Sequence, residues 1–226
     1  TRLVALGYTA ALNSTEATHN TAIGYQSQRS NTTGGNNSAL GDNSLYTNTT
    51  GQYNTALGSQ ALFANTTASE NTAIGYRALL TETTGIRNVA VGYQALKTQN
   101  KTDGSAEYNV GVGYNAGAST TNGVNNTFLG SLTGTANTTG ANNTFVGYSA
   151  GNDNTTGGSN VAVGTSALAL ATNNSNTAVG ASSLANTANA GNNTAVGQAS
   201  GLSNTSGENG VFIGRQAGYS NTARGD

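Results

Sequence analysis

The heptapeptide NTAIGYQ at residues 20–26 recurs along the whole 226-residue chain, and its spacing decides the fold. Two clear copies are NTAIGYR at 71–77 and NVAVGYQ at 88–94. The central glycine of each copy, called here the anchor, stands at Gly7, Gly24, Gly41, Gly58, Gly75, Gly92, Gly113, Gly130, Gly147, Gly164, Gly180, Gly197 and Gly214. Anchors are 17 residues apart, except for one gap of 21 after Gly92 and one of 16 after Gly164. Such a register indicates stacked repeats rather than disorder.

Each coil carries the same parts. Asn stands four residues before the anchor in eleven of the thirteen coils, and Ile, Leu or Val always precedes it. Asn-Thr-Ala-Ile predicts a short strand that ends at the glycine, where φ is positive or backbones approach closely. Asn-Thr-Thr-Gly, as at 31–34, is typical of a turn. We therefore predict an all-β protein, a parallel β-solenoid (β-roll) of about thirteen 17-residue coils in one domain over 1–226, with two short strands per coil and a ladder of stacked Asn residues.

Copies within the chain also reveal an exchange of volume. The residue two before the anchor is usually Ala, and the residue four after it is usually Leu. Three coils reverse this arrangement and pair Phe with Gly, as Phe128 with Gly134, Phe145 with Gly151 and Phe212 with Gly218. Close packing penalises both overfilled and empty sites, so the two positions are expected to share one space.

The strand has small or apolar residues on both faces, because neighbouring side chains point to opposite sides. A solenoid has one interior, so the second face needs another cover. Further copies of the chain provide that cover most simply, and we expect a parallel homotrimer.

Composition excludes several classes of function. Only 8% of the residues are charged, the net charge is −1, and Cys is absent. Nucleic-acid binding needs many more Lys and Arg residues, and no apolar run is long enough for membrane insertion of this segment. His19 is the only histidine, and it falls in a turn where solvent is its expected partner. No carboxylate pair recurs at one coil position. We expect no catalytic site, no cofactor and no metal.

The repeats NTAIGYQ (20–26), NTAIGYR (71–77) and NVAVGYQ (88–94) resemble the head repeats of YadA-like trimeric autotransporter adhesins. They are also similar to the NTTG and YQAL arrays of phage tail-fibre-like proteins. The resemblance covers nearly the whole chain and implies a trimeric, left-handed parallel β-roll that binds or spaces on a surface. One departure is that the adhesin head repeat is shorter than 17 residues, so the second half of the coil is expected to differ.

Three features are candidate binding sites. The 21-residue gap predicts an insertion loop at 97–107 that protrudes into solvent. This loop would present four charged side chains: Lys97, Lys101, Asp103 and Glu107. The simpler alternative is an insertion that binds no partner. Six coils have tyrosine at the position after the anchor: Tyr8, Tyr25, Tyr76, Tyr93, Tyr114 and Tyr148. These rings could stack on sugars or serve an interface, but the favoured alternative is that they pack at a strand end. Arg224-Gly225-Asp226 spells an integrin-type tripeptide, for which a chance match is the preferred explanation.

The favoured function is that of a non-catalytic segment of a longer extracellular fibre, on a cell surface, a virion or a secreted filament. Such a segment would mediate spacing or attachment to a cell-surface glycan or protein receptor. An alternative is a structural filament subunit that assembles end to end. Ice binding through a threonine row is a less favoured alternative, because the row offers at most one Thr per coil and is interrupted by Val89, Val110, Val161 and Val211.

Overall fold

The computed structural model describes residues 2–170 and 172–222, so Arg224-Gly225-Asp226 lies outside the described residues. The chain divides into two compact units, Thr1–Val112 and Gly113–Asp226. Each unit is a β-solenoid in which the described residues form parallel strands and no α-helix. The all-β parallel solenoid predicted from the repeat is therefore confirmed for each unit.

The first unit contains β1 Leu3–Leu6, β2 Asn20–Ile23, β3 Ser38–Leu40, β4 Thr55–Leu57, β5 Thr72–Ile74, β6 Val89–Val91 and β7 Val110–Val112. The second unit contains β8 Thr127–Leu129, β9 Thr144–Val146, β10 Val161–Val163, β11 Thr177–Val179, β12 Thr194–Val196 and β13 Val211–Ile213. Within each unit every strand is parallel to the next, and equivalent coil positions face each other, as in Ala22↔Ala39 and Thr177↔Thr194.

Each coil has one strand, so the prediction of two strands per coil is wrong. The residues after the anchor turn back on themselves because alternate positions adopt a left-handed backbone, as at Gln26 (φ 54°) and Gln28 (φ 49°). A β-strand requires a negative φ at every residue. This arc is nevertheless bonded to both neighbouring coils, because Gln26 N–H donates to Tyr8 O and Gln28 N–H donates to Ser44 O, both at 2.9 Å.

The middle residue of each three-residue strand points into the solenoid. Ala39 and Ala56 are buried, and Leu45 and Leu62, four residues after their anchors, complete the same interior. Only small side chains at the strand leave room for leucine from the arc. The apolar interior is therefore thin, and polar side chains that bond to each other fill much of the rest.

The predicted exchange of volume is confirmed. A Cβ atom built on Gly134 would lie 2.5 Å from Cε1 of Phe128, and Gly151 stands in the same relation to Phe145. Phe128 and Phe145 are completely buried, and their ring centroids are 5.7 Å apart in consecutive coils. The strand position and the arc position therefore fill one space, which holds Ala with Leu in coils such as that of Ala39 and Leu45, and Phe with Gly in these coils.

The anchor glycines meet both conditions expected of them. Gly58 has φ +134°, and a Cβ built on it would lie 2.6 Å from the carbonyl oxygen of Gly75 in the next coil. No L side chain fits such an approach. Glycine at the anchor therefore allows the consecutive coils to approach this closely.

The predicted Asn ladder is present. Asn37 N–H donates to Asn20 Oδ1 at 2.8 Å, and Asn37 Nδ2 donates to Gly51 O at 2.8 Å. A second ladder begins the Asn-Thr-Thr-Gly turns, where Asn48 Nδ2 donates to Asn31 Oδ1 at 2.9 Å and Asn65 Nδ2 donates to Asn48 Oδ1 at 2.7 Å. Buried polar groups are tolerated when they are bonded in this way.

Candidate functional site

The two outer residues of each strand form a continuous surface in each unit, called here the outer strand face. One ridge is built from the Thr, Ser or Val three residues before the anchor, and the other from the Ile, Leu or Val directly before it. Leu40 and Leu57 on the second ridge are 44% and 41% exposed. Because the residue between the ridges points inward, a groove runs between them, and across β2, β3 and β4 it holds an apolar depression of about 260 Å³.

The outer strand face carries no charged side chain on β2 to β7 or on β8 to β13. Removing it from water therefore requires no ion to be desolvated, and each aliphatic side chain that is buried contributes favourably. Exposed apolar patches of this extent are typical of interaction surfaces. The structure thereby settles which strand face lies inside and which lies outside, a question that the sequence left open.

The predicted tyrosine row is exposed, but its rings pack on each other. Tyr8 and Tyr25 stack with centroids 5.5 Å apart, and Tyr76 and Tyr93 stack at 5.3 Å. The Arg77 guanidinium lies 4.9 Å from the centroid of Tyr76. A sugar ring binds an aromatic side chain through an open ring face. In each stacked pair one face of each ring is covered by the other tyrosine, which favours the packing role over sugar stacking.

The other two predicted members of that row belong to the second unit. Tyr114 and Tyr148 are exposed. Tyr148 is flanked along the row by Ser131 and Thr165, so this ring has no aromatic neighbour at its own coil position. Binding through Tyr148 stays a prediction.

The insertion coil differs from the expected protruding loop. Only 102–104 are exposed, whereas Gln99 and Glu107 are completely buried. Lys97 belongs to the coil body, where its carbonyl accepts a hydrogen bond from Thr81 Oγ1 at 3.2 Å. The expectation that Glu107 is a solvated loop residue is wrong. Its carboxylate points into the solenoid because the inserted residues remove a backbone acceptor there.

The loop tip satisfies its own charges. Lys101 Nζ lies 3.3 Å from Asp103 Oδ2 and donates to Ser105 Oγ at 2.6 Å. Ser105 N–H donates to Asp103 Oδ1 at 2.9 Å. Hydrogen bonds from Ser105, with a smaller effect of Lys101, lower the pKa of Asp103 to about 2. Lys101 and Asp103 therefore form a closed turn with Ser105 rather than an open charged patch.

Glu107 replaces a backbone group of the regular coil. In the preceding coil, Asn71 Nδ2 donates to the carbonyl of Gly85 at 2.9 Å. In the insertion coil, Asn88 Nδ2 donates instead to Glu107 Oε2, while Lys101 N–H donates to Oε1 of the same carboxylate at 3.0 Å. A side chain on Gly85 would overlap this carboxylate. Glu107 therefore fastens both the base of the loop and the Asn ladder.

Glu82 is an important residue that the sequence analysis did not single out. It is completely buried at the coil position held by Asn31, Asn48 and Asn65 in earlier coils. Glu82 Oε1 accepts from Gly85 N–H at 2.6 Å and from Thr84 N–H at 3.2 Å. Burial and the neighbouring Glu107 carboxylate raise the pKa of Glu82 to about 8. An ionisable residue in a row of interior amides was the signal available in the sequence.

The remaining charged cluster of the first unit lies in solvent. Arg87 Nε lies 2.8 Å from Glu70 Oε2, and Arg87 donates to the Tyr108 hydroxyl at 2.9 Å. Exposed pairs of this kind contribute little to stability. His19 is exposed with φ 59°, which confirms it as a solvated turn residue.

In the described part of the chain, no helix is long and apolar enough to cross a membrane. Residues 2–170 and 172–222 also contain no group of three His, Cys, Asp or Glu side chains placed to hold a metal ion. No protein-family model, curated protein or solved structure matches the chain.

Proposed function

We propose that the chain is a non-catalytic segment of an extracellular fibre that assembles as a parallel homotrimer and spaces or attaches surfaces. The observation that carries the proposal is the outer strand face, which is uncharged, carries an exposed aliphatic ridge and is repeated coil after coil. A partner that covers it needs apolar side chains at the same interval along the axis. Another copy of this chain has that interval by construction.

The shape of the face suggests how three copies fit. The aliphatic ridge of one copy enters the groove between the two ridges of its neighbour, and each copy does the same to the next. Such a contact is heterologous, because it joins different parts of the two surfaces. Heterologous contacts form a closed ring when the rotation from one copy to the next adds up to a full turn. Closure after three copies would bury every aliphatic ridge.

The wider biological role follows from the same surface properties. A repeat with few charges suits a spacer, and an exposed turn on such a scaffold suits attachment. The proposed ligand for such attachment is a cell-surface glycan or protein receptor.

A pair of lysine variants tests the assembly. Leu40→Lys with Leu57→Lys places two charges on the aliphatic ridge, whereas Gln52→Lys adds a charge at an exposed position outside that ridge. We expect the double variant to elute as a monomer with unchanged β circular dichroism, and Gln52→Lys to keep the wild-type size. Equal sizes for all three proteins would remove the outer strand face from the interface.

A further inference from the structure

Two buried carboxyl groups, Glu82 and Glu107, lie side by side in the insertion coil. Both are completely buried, and the atoms of Gly85 touch the two groups from either side, since its N–H donates to Glu82 and its Cα faces the Glu107 carboxylate. Two ionised carboxylates so close in the interior would repel each other strongly. The pair therefore needs a proton or another positive charge.

Counting donors shows where a proton belongs. Glu107 uses Oε1 for Lys101 N–H and Oε2 for Asn88, and Glu82 uses Oε1 for the backbone of its own turn. Glu82 Oε2 is buried without a partner, and so is Asn65 Oδ1. Earlier in the ladder of turn asparagines, Asn31 Oδ1 accepts from Asn48 Nδ2 and Asn48 Oδ1 accepts from Asn65 Nδ2. Glu82 follows Asn65 in this ladder, and an ionised Glu82 has no N–H or O–H group to donate to Asn65 Oδ1. A proton on Glu82 Oε2 provides the missing donor.

Among the described residues, the two cations that form ion pairs close to this coil already have other partners. Lys101 Nζ is engaged with Asp103 and Ser105 at the loop tip. Arg87 is engaged with Glu70 and Tyr108 in solvent. The side chains at the same ladder position in the adjacent coils, Asn65 and Gln99, are neutral amides, and so is Asn88, which donates to Glu107.

We propose that Glu82 is held as a neutral acid beside the Glu107 carboxylate, and that its proton closes a latch which fastens the insertion 100–106 to the solenoid. Loss of the proton sets two anions against each other. The insertion relieves the repulsion by opening outward, which exposes both carboxyl groups to solvent and releases the Gly85 amide from Glu82 and the Lys101 amide from Glu107. The rest of the ladder, which is built from neutral amides, stays closed.

The raised pKa of Glu82 sets the pH range of this latch. The closed state binds the proton with a pKa of about 8, and an opened, solvated Glu82 would have the ordinary value of 4.5. Between these values the closed state holds more protons than the open one, so the opening constant rises about tenfold per pH unit and levels off above pH 8. The total change is about three and a half orders of magnitude.

Amide hydrogen exchange, corrected for intrinsic rates, measures this opening directly. The protection factors of the Gly85 and Lys101 amides should fall about tenfold per pH unit from pH 5 to pH 8 and then become constant. The Gly51 amide, at the coil position of Gly85, should show no such trend. Glu82→Gln, which keeps the shape but cannot ionise, should abolish the trend, whereas the exposed Glu70→Gln should leave it unchanged.

Several results would overturn the latch. One is a flat profile in the wild type, and another is a profile that survives in Glu82→Gln. A third is protection that calcium chloride restores at pH 9 and that EDTA removes, because the carboxylates would then hold a metal ion rather than a proton. If Glu82→Gln does not fold, carbon-13 carboxyl titration of the wild type decides, and a Glu82 midpoint near 4.5 refutes the proposal.

Discussion

Exchanging the core residues of one coil should be tolerated only when both positions change together. Phe128→Ala removes a completely buried ring and should cost about 3–5 kcal/mol. Gly134→Leu places a side chain where the ring of Phe128 already lies, and should cost at least about 1–3 kcal/mol. The double variant recreates the Ala with Leu arrangement of coils such as that of Ala39 and Leu45.

The cost of the double variant should be small. The remaining penalty is the left-handed backbone at residue 134, which has φ +55° and costs a non-glycine residue about 1 kcal/mol. Leu45 and Leu62 already adopt this conformation with φ 49° and 50°, so the position accepts leucine. The two substitutions should therefore couple by about 3 kcal/mol or more in the stabilising direction, far above the few tenths expected of independent sites.

Urea unfolding of the four proteins measures the coupling, and exchange of the residue 134 amide, which donates to Ala150 O at 2.9 Å, localises it. The same cycle at Phe145 and Gly151 is the matched replicate in the neighbouring coil. Additive losses in both cycles would show that the two positions do not share one space and would refute the reasoning.

Three further predictions concern the stacking of coils. Gly58→Ala should lower the free energy of unfolding by several kcal/mol, because its Cβ would lie 2.6 Å from the Gly75 carbonyl oxygen. The control Gly104→Ala, with φ +70° and no atom within 4 Å, should lower it by only about 1 kcal/mol in the same urea assay. Asn54→Asp buries a carboxylate in place of the Nδ2 group that donates to Ala68 O, and should lower the free energy of unfolding by about 2–4 kcal/mol at pH 7 and by less at pH 4. The control Asn36→Asp, at an exposed position, should be nearly neutral at both pH values. Glu82→Asn restores the ladder of side-chain amides. Because the pKa of Glu82 is raised in the folded wild type, the free energy of unfolding of the wild type falls by about 1.4 kcal/mol per pH unit between pH 4.5 and 8. The stability of the variant relative to the wild type should therefore grow with pH across that range and then stay constant.

The repeat carried most of the information about the fold because the copies serve as an alignment within one chain. Phe128 with Gly134 shows this well, since the compensating change at the second position located a contact without any structure. The strand, the anchor glycine and the Asn ladder followed from residue types with a strong backbone or hydrogen-bonding preference. These features are local, and stacking repeats them in each coil.

The second half of the coil was harder to predict. Leu45 and Gln28 adopt a left-handed backbone that side-chain preferences do not indicate, so extended strand was the natural expectation for that segment. Stacking overrides the local preference there, because the arc keeps its backbone bonds to both neighbouring coils. Sequence reasoning about single residues does not include that cooperative gain.

The insertion coil shows where charge is a poor guide to exposure. Lys101 and Asp103 lie at the tip as expected, whereas Glu107 turns inward to replace a lost carbonyl acceptor. Glu82 was overlooked because carboxylates were compared for recurrence at one coil position. Comparing each residue with the amide it replaces in the ladder would have identified it.

The mass of the native protein in solution tests the central claim most directly. Light scattering coupled to gel filtration at micromolar concentration should give three times the 22.5 kDa chain mass, with the circular dichroism of a β protein. A uniform species of 22.5 kDa with the same β signal would contradict the account, because the outer strand face would then be stable in water without a partner.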